Sequence, residues 1–287
     1  MSTAPKKLAV IGWPVEHSKS PEMHNAAIKE LGLSQEWHYE KHAVAPQDVP
    51  EFMAELRSGK SYQGCNVTIP HKIAAYEAVD ELHDSARLIG AVNTIQVLPN
   101  GLLKGYNTDA LGVFQGLAQV GCKPMQGAHI LLIGAGGTAR ACIVGAMLSG
   151  AAAISIQNRT RSKAEDLVAE FTAKDPRFAA VKWQTSSQFT ADELATVTAA
   201  VQLTSLGMKP ETDALPLNPA VLPTGCTVLD AVYAPQVQTP FLKASQACGL
   251  KTAHGLLMLV GQGAESFRIW TGYTPNQQIM LQAIYHH

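Results

Sequence analysis

Short apolar runs alternate along this chain with stretches whose apolar residues recur at helical spacing, and that alternation predicts an α/β protein. Lys7 to Gly12 reads as a first strand. Ser20 followed by Pro21 makes an N-cap and first-turn pair for a helix over Pro21 to Gly32. A strand over Trp37 to Ala43, a helix over Asp48 to Arg57, and strands over Tyr62 to Val67 and Ala91 to Leu98 complete this first series. A second series opens after Asp109 with a helix over Asp109 to Val120, a strand over His129 to Ile133 and a helix over Thr138 to Leu148. It continues with a strand over Ala153 to Gln157, a helix over Ser162 to Phe171, and strands over Ala199 to Leu203 and Thr227 to Asp230. From Gly255 onward the pattern is helical to the end. Two sheets in series predict two domains with a cleft between them. Internal repeats and low-complexity tracts are absent.

Composition narrows the function. The 287 residues are enough for two domains, and with 46% hydrophobic residues a sizeable core can be buried. Only 16% are charged and the net charge is -1, so nothing draws the chain generally to nucleic acid or an anionic membrane. Recognition of charge must be local. Met1 to Lys7 is polar, without the apolar core of a signal peptide, and the weakly polar stretch from Ala141 to Ile156 is too short to span a bilayer. Cys65, Cys122, Cys142, Cys226 and Cys248 are odd in number and form no CxxC, which reads as free thiols in a reducing cytoplasm. None of the ten histidines falls in a recognisable metal spacing, so no metal is expected. His286 and His287 are either a tag remnant or the native end.

The sharpest motif is Gly134-Ala135-Gly136-Gly137-Thr138-Ala139, a G-x-G-x-x-A placed directly after an apolar strand and at the start of a helix. Gly134 allows the tight turn, Gly136 lets a pyrophosphate approach the backbone, and Ala139 lets helix and strand pack closely. The free N–H groups of the helix start face the phosphates. An NAD site often carries an acidic residue at the end of the next strand. Here Gln157 is followed by Asn158-Arg159-Thr160-Arg161-Ser162-Lys163. Arg159 suits adenine stacking and a 2′-phosphate, with Thr160 and Lys163 adding donors, and this favours NADP. Three cations at a helix N-terminus also oppose the helix dipole, a conflict that an anionic ligand relieves.

Three polar clusters lie outside that motif. His17-Ser18-Lys19-Ser20-Pro21 puts two hydroxyls near a helix start, a plausible carboxylate cradle, although read alone Ser20 is simply an N-cap. Asn66-Val67-Thr68-Ile69-Pro70-His71-Lys72 follows a strand end, where α/β ligands bind. A lysine in the first turn of a helix is disfavoured by the dipole, and a lowered pKa would suit acid–base work. The third cluster joins Ala91-Val92-Asn93-Thr94 to Tyr106-Asn107-Thr108-Asp109, where Thr108 or Asp109 could equally be a helix cap.

Taken together and in this order, HSKSP, NVTIPHK, AVNT, YNTDALG (Tyr106 to Gly112), GAGG, NRT, DAVYAP (Asp230 to Pro235) and GLLMLVGQ (Gly255 to Gln262) resemble the shikimate dehydrogenase family along nearly the whole chain. The resemblance implies NADP-dependent interconversion of 3-dehydroshikimate and shikimate. It implies an α/β substrate-binding domain from residues 1–109 and the C-terminal helices of 255–287. A Rossmann-type NADP-binding domain of residues 110–254 is inserted between them. By match, Lys72 and Asp109 are the catalytic pair, and Ser18 and Ser20 hold the substrate carboxylate. Thr68, Asn93, Asp109, Tyr233 and Gln262 hold ring hydroxyls, while Ala231 and Gly255 lie near the nicotinamide. The chain would cross between domains near Asp109 and near Gly255, forming a hinge, with Gly255 chosen for its backbone freedom.

Some positions depart from the family pattern: Gln202 and Leu203 where Asn and a small residue are usual, Ala231 where Met is common, Trp13 for smaller or polar residues, and Lys163 for Arg. They bear on the cofactor pocket rather than on the catalytic pair. Three alternatives stand beside this reading. A quinate or dual quinate/shikimate dehydrogenase would differ around Ser18. A non-catalytic nucleotide-binding member would lack the Lys72/Asp109 pair, and a plain Rossmann binding module would leave Lys72, Asp109 and Gln262 without a role. The partner expected is a small-molecule substrate, with no nucleic acid or membrane, in a monomer or homodimer.

Overall fold

The first strand, Lys6–Gly12 (β1), lies between two parallel neighbours in the computed structural model, which describes residues 5–208, 214–233 and 237–285. Its apolar run Leu8 to Ile11 is buried on both faces, as a central strand requires. After it come α1 (Ser20–Glu30), β2 (Trp37–Ala43), α2 (Val49–Arg57), β3 (Gly64–Val67), α3 (Lys72–Ala78), β4 (Glu81–Leu82), α4 (Asp84–Ile89), β5 (Thr94–Val97) and β6 (Leu103–Tyr106). These strands make one mixed sheet in the order β2-β1-β3-β5-β6-β4. β1 is parallel to β2 and β3, and β5 is antiparallel to β3 and β6. Phe52, Met53 and Leu56 of α2 pack with Ile11, Val67 and Ile95 of the sheet in one core.

The second series is α5 (Asp109–Gln119), β7 (His129–Ile133), α6 (Gly137–Leu148), β8 (Ala153–Gln157), α7 (Arg161–Lys174), β9 (Lys182–Ser186), β10 (Ala199–Gln202), β11 (Thr227–Asp230), α8 (Pro240–Ala247) and β12 (Lys251–His254). Its six strands are all parallel, in the order β12-β11-β10-β7-β8-β9. That is the doubly wound dinucleotide-binding order, whose switch point lies between β7 and β10. The chain finishes with α9 (Gly255–Thr271) and α10 (Gln277–Tyr285).

Two compact units result, Met1–Asp109 with Leu259–His287, and Ala110–Met258. The return to the first unit falls after Met258, inside α9 and within one turn of Gly255. Gly64 shows how the returning helix docks. A Cβ there would stand 2.4 Å from the Trp270 indole nitrogen, which donates to the Ile95 carbonyl at 2.8 Å.

Several elements differ from the pattern-based expectation. β9 and β12 are the two edges of their sheet, and their sequences, KWQTS and KTAH, lack an apolar run because one side faces water. The helical C-terminus breaks between α9 and α10, where Gly272 takes φ +77° and Pro275 follows. Ser20 is not the N-cap of α1. Lys19 occupies that position, and Ser20 lies within the first turn. Of the expected motif DAVYAP, Ala234 and Pro235 lie outside the described residues, as do His286 and His287.

Candidate active site

In the first unit, the loops that leave β1 and β3 meet at the carboxyl end of the sheet. A Cβ on Gly12 would come within 2.5 Å of the Thr68 methyl, so glycine there permits the close approach. The Trp13 N–H donates to the Ile69 carbonyl at 3.1 Å, and the Thr68 N–H to the Ile11 carbonyl at 2.9 Å. The buried His71 ring bonds the Val44 carbonyl through Nε2 at 2.7 Å, which pins the start of α3. Lys72 is thereby fixed as its first residue.

Lys72 Nζ donates to Asp109 Oδ2 at 2.5 Å, with 13% of the lysine side chain and 4% of the aspartate side chain exposed. The cost of starting a helix with a cation is offset by this carboxylate. A carboxylate so buried must be satisfied on its second oxygen too, and Asn93 Nδ2 donates to Oδ1 at 2.8 Å. Asn107 Oδ1 accepts the Asp109 N–H at 3.1 Å, so the capping work at α5 falls to Asn107 and leaves the Asp109 side chain for Lys72. Asn93 Nδ2 also donates to Thr108 Oγ1 at 2.9 Å and lies 3.4 Å from Gln262 Oε1. Gln262 is oriented by donation from Nε2 to the Leu259 carbonyl at 2.8 Å. Four of the expected residues, Lys72, Asp109, Asn93 and Gln262, thus form one hydrogen-bonded group, with Thr68 in the loop just before Lys72.

Ser18 and Ser20 are brought together as a pair. The Ser18 hydroxyl donates to Ser20 Oγ at 3.2 Å and accepts the Ser20 N–H at 3.3 Å. The two hydroxyls sit at the start of α1, where the free N–H groups favour an anion.

In the second unit, Gly134 ends β7 with φ +116°, a conformation open to glycine. A Cβ there would also meet Thr204 Cγ2 at 3.1 Å. Leu203 and Thr204 follow β10, so this turn occupies the switch point. Gln202, a departure from the family pattern, braces that loop: its Nε2 donates to the Leu206 carbonyl at 3.0 Å, and its Oε1 accepts the Thr204 N–H. Gly136 is different. A Cβ on it would meet nothing within 4 Å, so no protein contact requires glycine there. The space at the head of α6 fits a pyrophosphate lying against the backbone. Ala135, Gly137 and Thr138 continue this turn into α6, and Ala139 is fully buried at the helix–strand contact.

Asn158 Nδ2 closes the loop after β8 by donating to the Thr160 carbonyl at 2.8 Å. Arg161 is committed to Glu165 at 2.8 Å, whereas among the described residues Arg159 and Lys163 form no ion pair and are exposed. Those two cations remain available to a phosphate. Ala231 and Tyr233 flank Val232, whose N–H is held by Asp230 Oδ1 at 2.9 Å. Asp230 Oδ2 accepts the Thr239 hydroxyl at 2.6 Å. Burial pushes the Asp230 carboxyl up to about 6, and these hydrogen bonds pull against the rise. Gly255 has no unusual φ, so backbone freedom does not explain it. A Cβ would stand 2.4 Å from the Ala231 carbonyl oxygen, and close approach is the physical reason for glycine.

Behind the Lys72–Asp109 pair lies a buried polar group that no sequence motif marks. Asn66 accepts the Tyr39 hydroxyl at 2.7 Å and donates to Ser266 at 3.0 Å and Thr94 at 3.2 Å. The available signal was spacing: Ser266 lies four residues after Gln262 in an apolar helix, hence on the same face. Among the described residues no group of His, Cys, Asp or Glu could hold a metal, and no helix is long and apolar enough to cross a membrane.

Comparison with known proteins adds three domain matches: "Shikimate dehydrogenase substrate binding domain" over residues 10–95, "Shikimate / quinate 5-dehydrogenase" over 116–201, and "Shikimate 5'-dehydrogenase C-terminal domain" over 255–285. A Desulforamulus reducens protein named shikimate dehydrogenase (NADP(+)) is 40% identical over 278 residues, covering 96% of this chain and 93% of its own. A crystal structure of a shikimate dehydrogenase in complex with NADP+ superposes with TM-score 0.88 at 37% identity, covering 99% of this chain and 97% of the other. The Thermus thermophilus shikimate 5-dehydrogenase in complex with NADP(H) and shikimate gives TM-score 0.83 at 34% identity, covering 97% and 98%.

Proposed function

The chain belongs to the shikimate dehydrogenase family, and from that premise we propose that Lys72 and Asp109 carry the proton side of the NADP-dependent interconversion of 3-dehydroshikimate and shikimate. The observation that carries this reading is the buried 2.5 Å contact between Lys72 Nζ and Asp109 Oδ2, with Asn93 satisfying the other oxygen. A non-catalytic family member would have no need to maintain such a pair.

When bound, NADPH would supply the hydride for the ring carbonyl carbon, and the residues of this chain manage the proton. Lys72 delivers a proton from Nζ to the carbonyl oxygen as charge develops there, and takes the proton back in the oxidative direction. Asp109 keeps Nζ in place and, with Asn93, Thr68 and Gln262, orients the ring hydroxyls. Ser18 and Ser20 hold the substrate carboxylate at the start of α1. In the second unit, the backbone from Gly134 to Thr138 would hold the pyrophosphate, and Asn158, Arg159, Thr160 and Lys163 would hold the adenosine 2′-phosphate. Ala231 and Gly255 would lie near the nicotinamide, and Tyr233 would hold a substrate ring hydroxyl. The odd number of cysteines, with no CxxC spacing, supports a reducing, cytoplasmic location.

An absorbance assay at the reduced-cofactor band, with shikimate and quinate crossed against NADP and NAD, tests this function. The fastest turnover is expected with shikimate and NADP. Turnover with quinate alone would overturn the substrate, and equal turnover with NAD would overturn the role of Arg159.

A further inference from the structure

Ser266 takes no part in the chemistry above, yet it is fully buried and sits among polar groups contributed by four segments of the first unit. Its Oγ lies 3.0 Å from Asn66 Nδ2, 2.8 Å from Thr94 Oγ1, 3.4 Å from Thr108 Oγ1 and 3.0 Å from the Gln262 carbonyl oxygen. Burying a hydroxyl in an otherwise apolar helix is unfavourable unless it is satisfied, so these contacts account for its presence.

The consequence lies one bond further on. The side-chain amide of Asn93 has two orientations, and only one serves Asp109. In that orientation Nδ2 donates to Asp109 Oδ1, and Oδ1 accepts from the Thr108 N–H at 2.9 Å and from the Thr94 hydroxyl at 3.0 Å. Flipped, the amide would set its oxygen against the carboxylate and its NH2 against an N–H. The Thr94 hydroxyl has a single proton and stands between Asn93 Oδ1 and Ser266 Oγ. The single Ser266 proton has two acceptors in reach, the Gln262 carbonyl at 3.0 Å and Thr94 Oγ1 at the shorter 2.8 Å; when it goes to Thr94, the Thr94 proton is committed to Asn93. A directed chain then runs Ser266 to Thr94 to Asn93 to Asp109, ending at Lys72. Asn66 supports its head by donating to both Ser266 and Thr94, and its own carbonyl is occupied by Tyr39. Members of such a chain polarise one another in a low-dielectric interior.

We propose that Ser266 is a positioning residue for the proton-transfer pair, acting through Thr94 to hold the Asn93 amide in the orientation that secures Asp109. The proposal rests on the Lys72–Asp109 reading. Loss of one neutral hydrogen bond of this kind predicts a fall of about three- to tenfold in kcat for Ser266→Ala. The NADP Kd stays at its wild-type value, and the shikimate KM changes less than kcat, because Ser266 reaches the substrate only through Asn93. Thr94→Val, which breaks the same chain, lowers kcat similarly, and the double variant is no slower than the slower single variant. Ser266→Cys, which keeps the volume with a weaker hydrogen-bonding group, falls between Ser266→Ala and wild type. The four variants are measured for kcat, KM, NADP affinity and melting temperature, beside Lys72→Ala. Unchanged kcat in Ser266→Ala with an inactive Lys72→Ala overturns the proposal and leaves the proton-transfer reading standing. The proposal is likewise overturned if kcat and KM decline together in step with melting temperature, or if the two single effects multiply in the double variant. An active Lys72→Ala overturns both.

Discussion

His24 gives the substrate unit a pH-dependent stability that can be isolated by one substitution. The imidazole is fully buried, stacked on Tyr39 with ring centroids 4.2 Å apart and on Phe267 at 6.1 Å, and among the described residues neither ring nitrogen reaches a hydrogen-bond partner. Burial lowers its pKa from 6.5 to about 3, while Asn66 pulls weakly upward without completing a hydrogen bond. The folded pKa lies below the unfolded one, so the unfolded chain binds the extra proton as pH falls. Stability is therefore fully present above pH 6.5 and is lost progressively toward pH 3. Each pH unit inside that window is worth about 1.4 kcal/mol, which makes the loss between pH 6.5 and 5 roughly 2 kcal/mol. His24→Phe keeps an aromatic ring in the stack and removes the titration. The assay is urea unfolding of both proteins at pH 7.5 and 5.0, followed by tryptophan emission, since Trp13, Trp37 and Trp270 all lie in the unit that holds His24. Other titrating groups cancel in the comparison. Asp230, raised to about 6, has the opposite sign, with stability present below about pH 4 and lost as pH rises to 6, and it is common to both proteins. The wild type should lose roughly 2 kcal/mol more than the variant, a relative midpoint shift on the order of 1 M urea. Parallel pH dependence would show that His24 is not buried neutral.

Three further substitutions probe the cofactor unit. Arg159→Ala should raise the KM for NADP by about ten- to a hundredfold and leave that for NAD nearly unchanged, because a charge-assisted contact to the 2′-phosphate is lost; equal losses with both cofactors would refute the contact. Gly136→Val enters open space in the protein, so the melting temperature should hold while NADP affinity measured by titration calorimetry drops roughly tenfold or more, on the order of 1.4 kcal/mol. Unchanged affinity would remove the phosphate from that turn. Gly255→Ala should destabilise by roughly 1–3 kcal/mol, since its Cβ meets the Ala231 carbonyl; a wild-type melting curve would mean that the close approach is not needed.

Central strands such as β1 and β7 were legible in the sequence because burial on both faces demands unbroken apolar runs, LAVI from Leu8 to Ile11 and ILLI from Ile130 to Ile133. The edges β9 and β12 were not legible, because they are half-solvated and their polar residues imitate loops, whereas the edge β2 kept Trp37 and Tyr39 buried and could be read. Gly134 declared its turn through spacing, whereas Gly255 was assigned the wrong physical reason, since a contact with Ala231 across the fold leaves no local trace. The site divides in the same way. Lys72 and Asp109 stood out as a cation and an anion at helix starts, and motif order placed Asn93 and Gln262 beside them. Ser266, Asn66 and Tyr39 were invisible as a group because their hydrogen bonds join segments far apart in sequence. Ser20 misled because a serine before proline is a common cap, while its hydroxyl is engaged by Ser18.

Lys72 is the side chain on which proton transfer depends most directly. Turnover of Lys72→Ala should be measured at saturating shikimate and NADP, together with shikimate affinity in the same preparation. Proton transfer by a positioned side chain predicts a fall of about 10²–10⁴ in turnover, with shikimate affinity held within about threefold. A variant that keeps more than roughly a tenth of wild-type turnover would contradict the assignment, because the proton must then travel by another group.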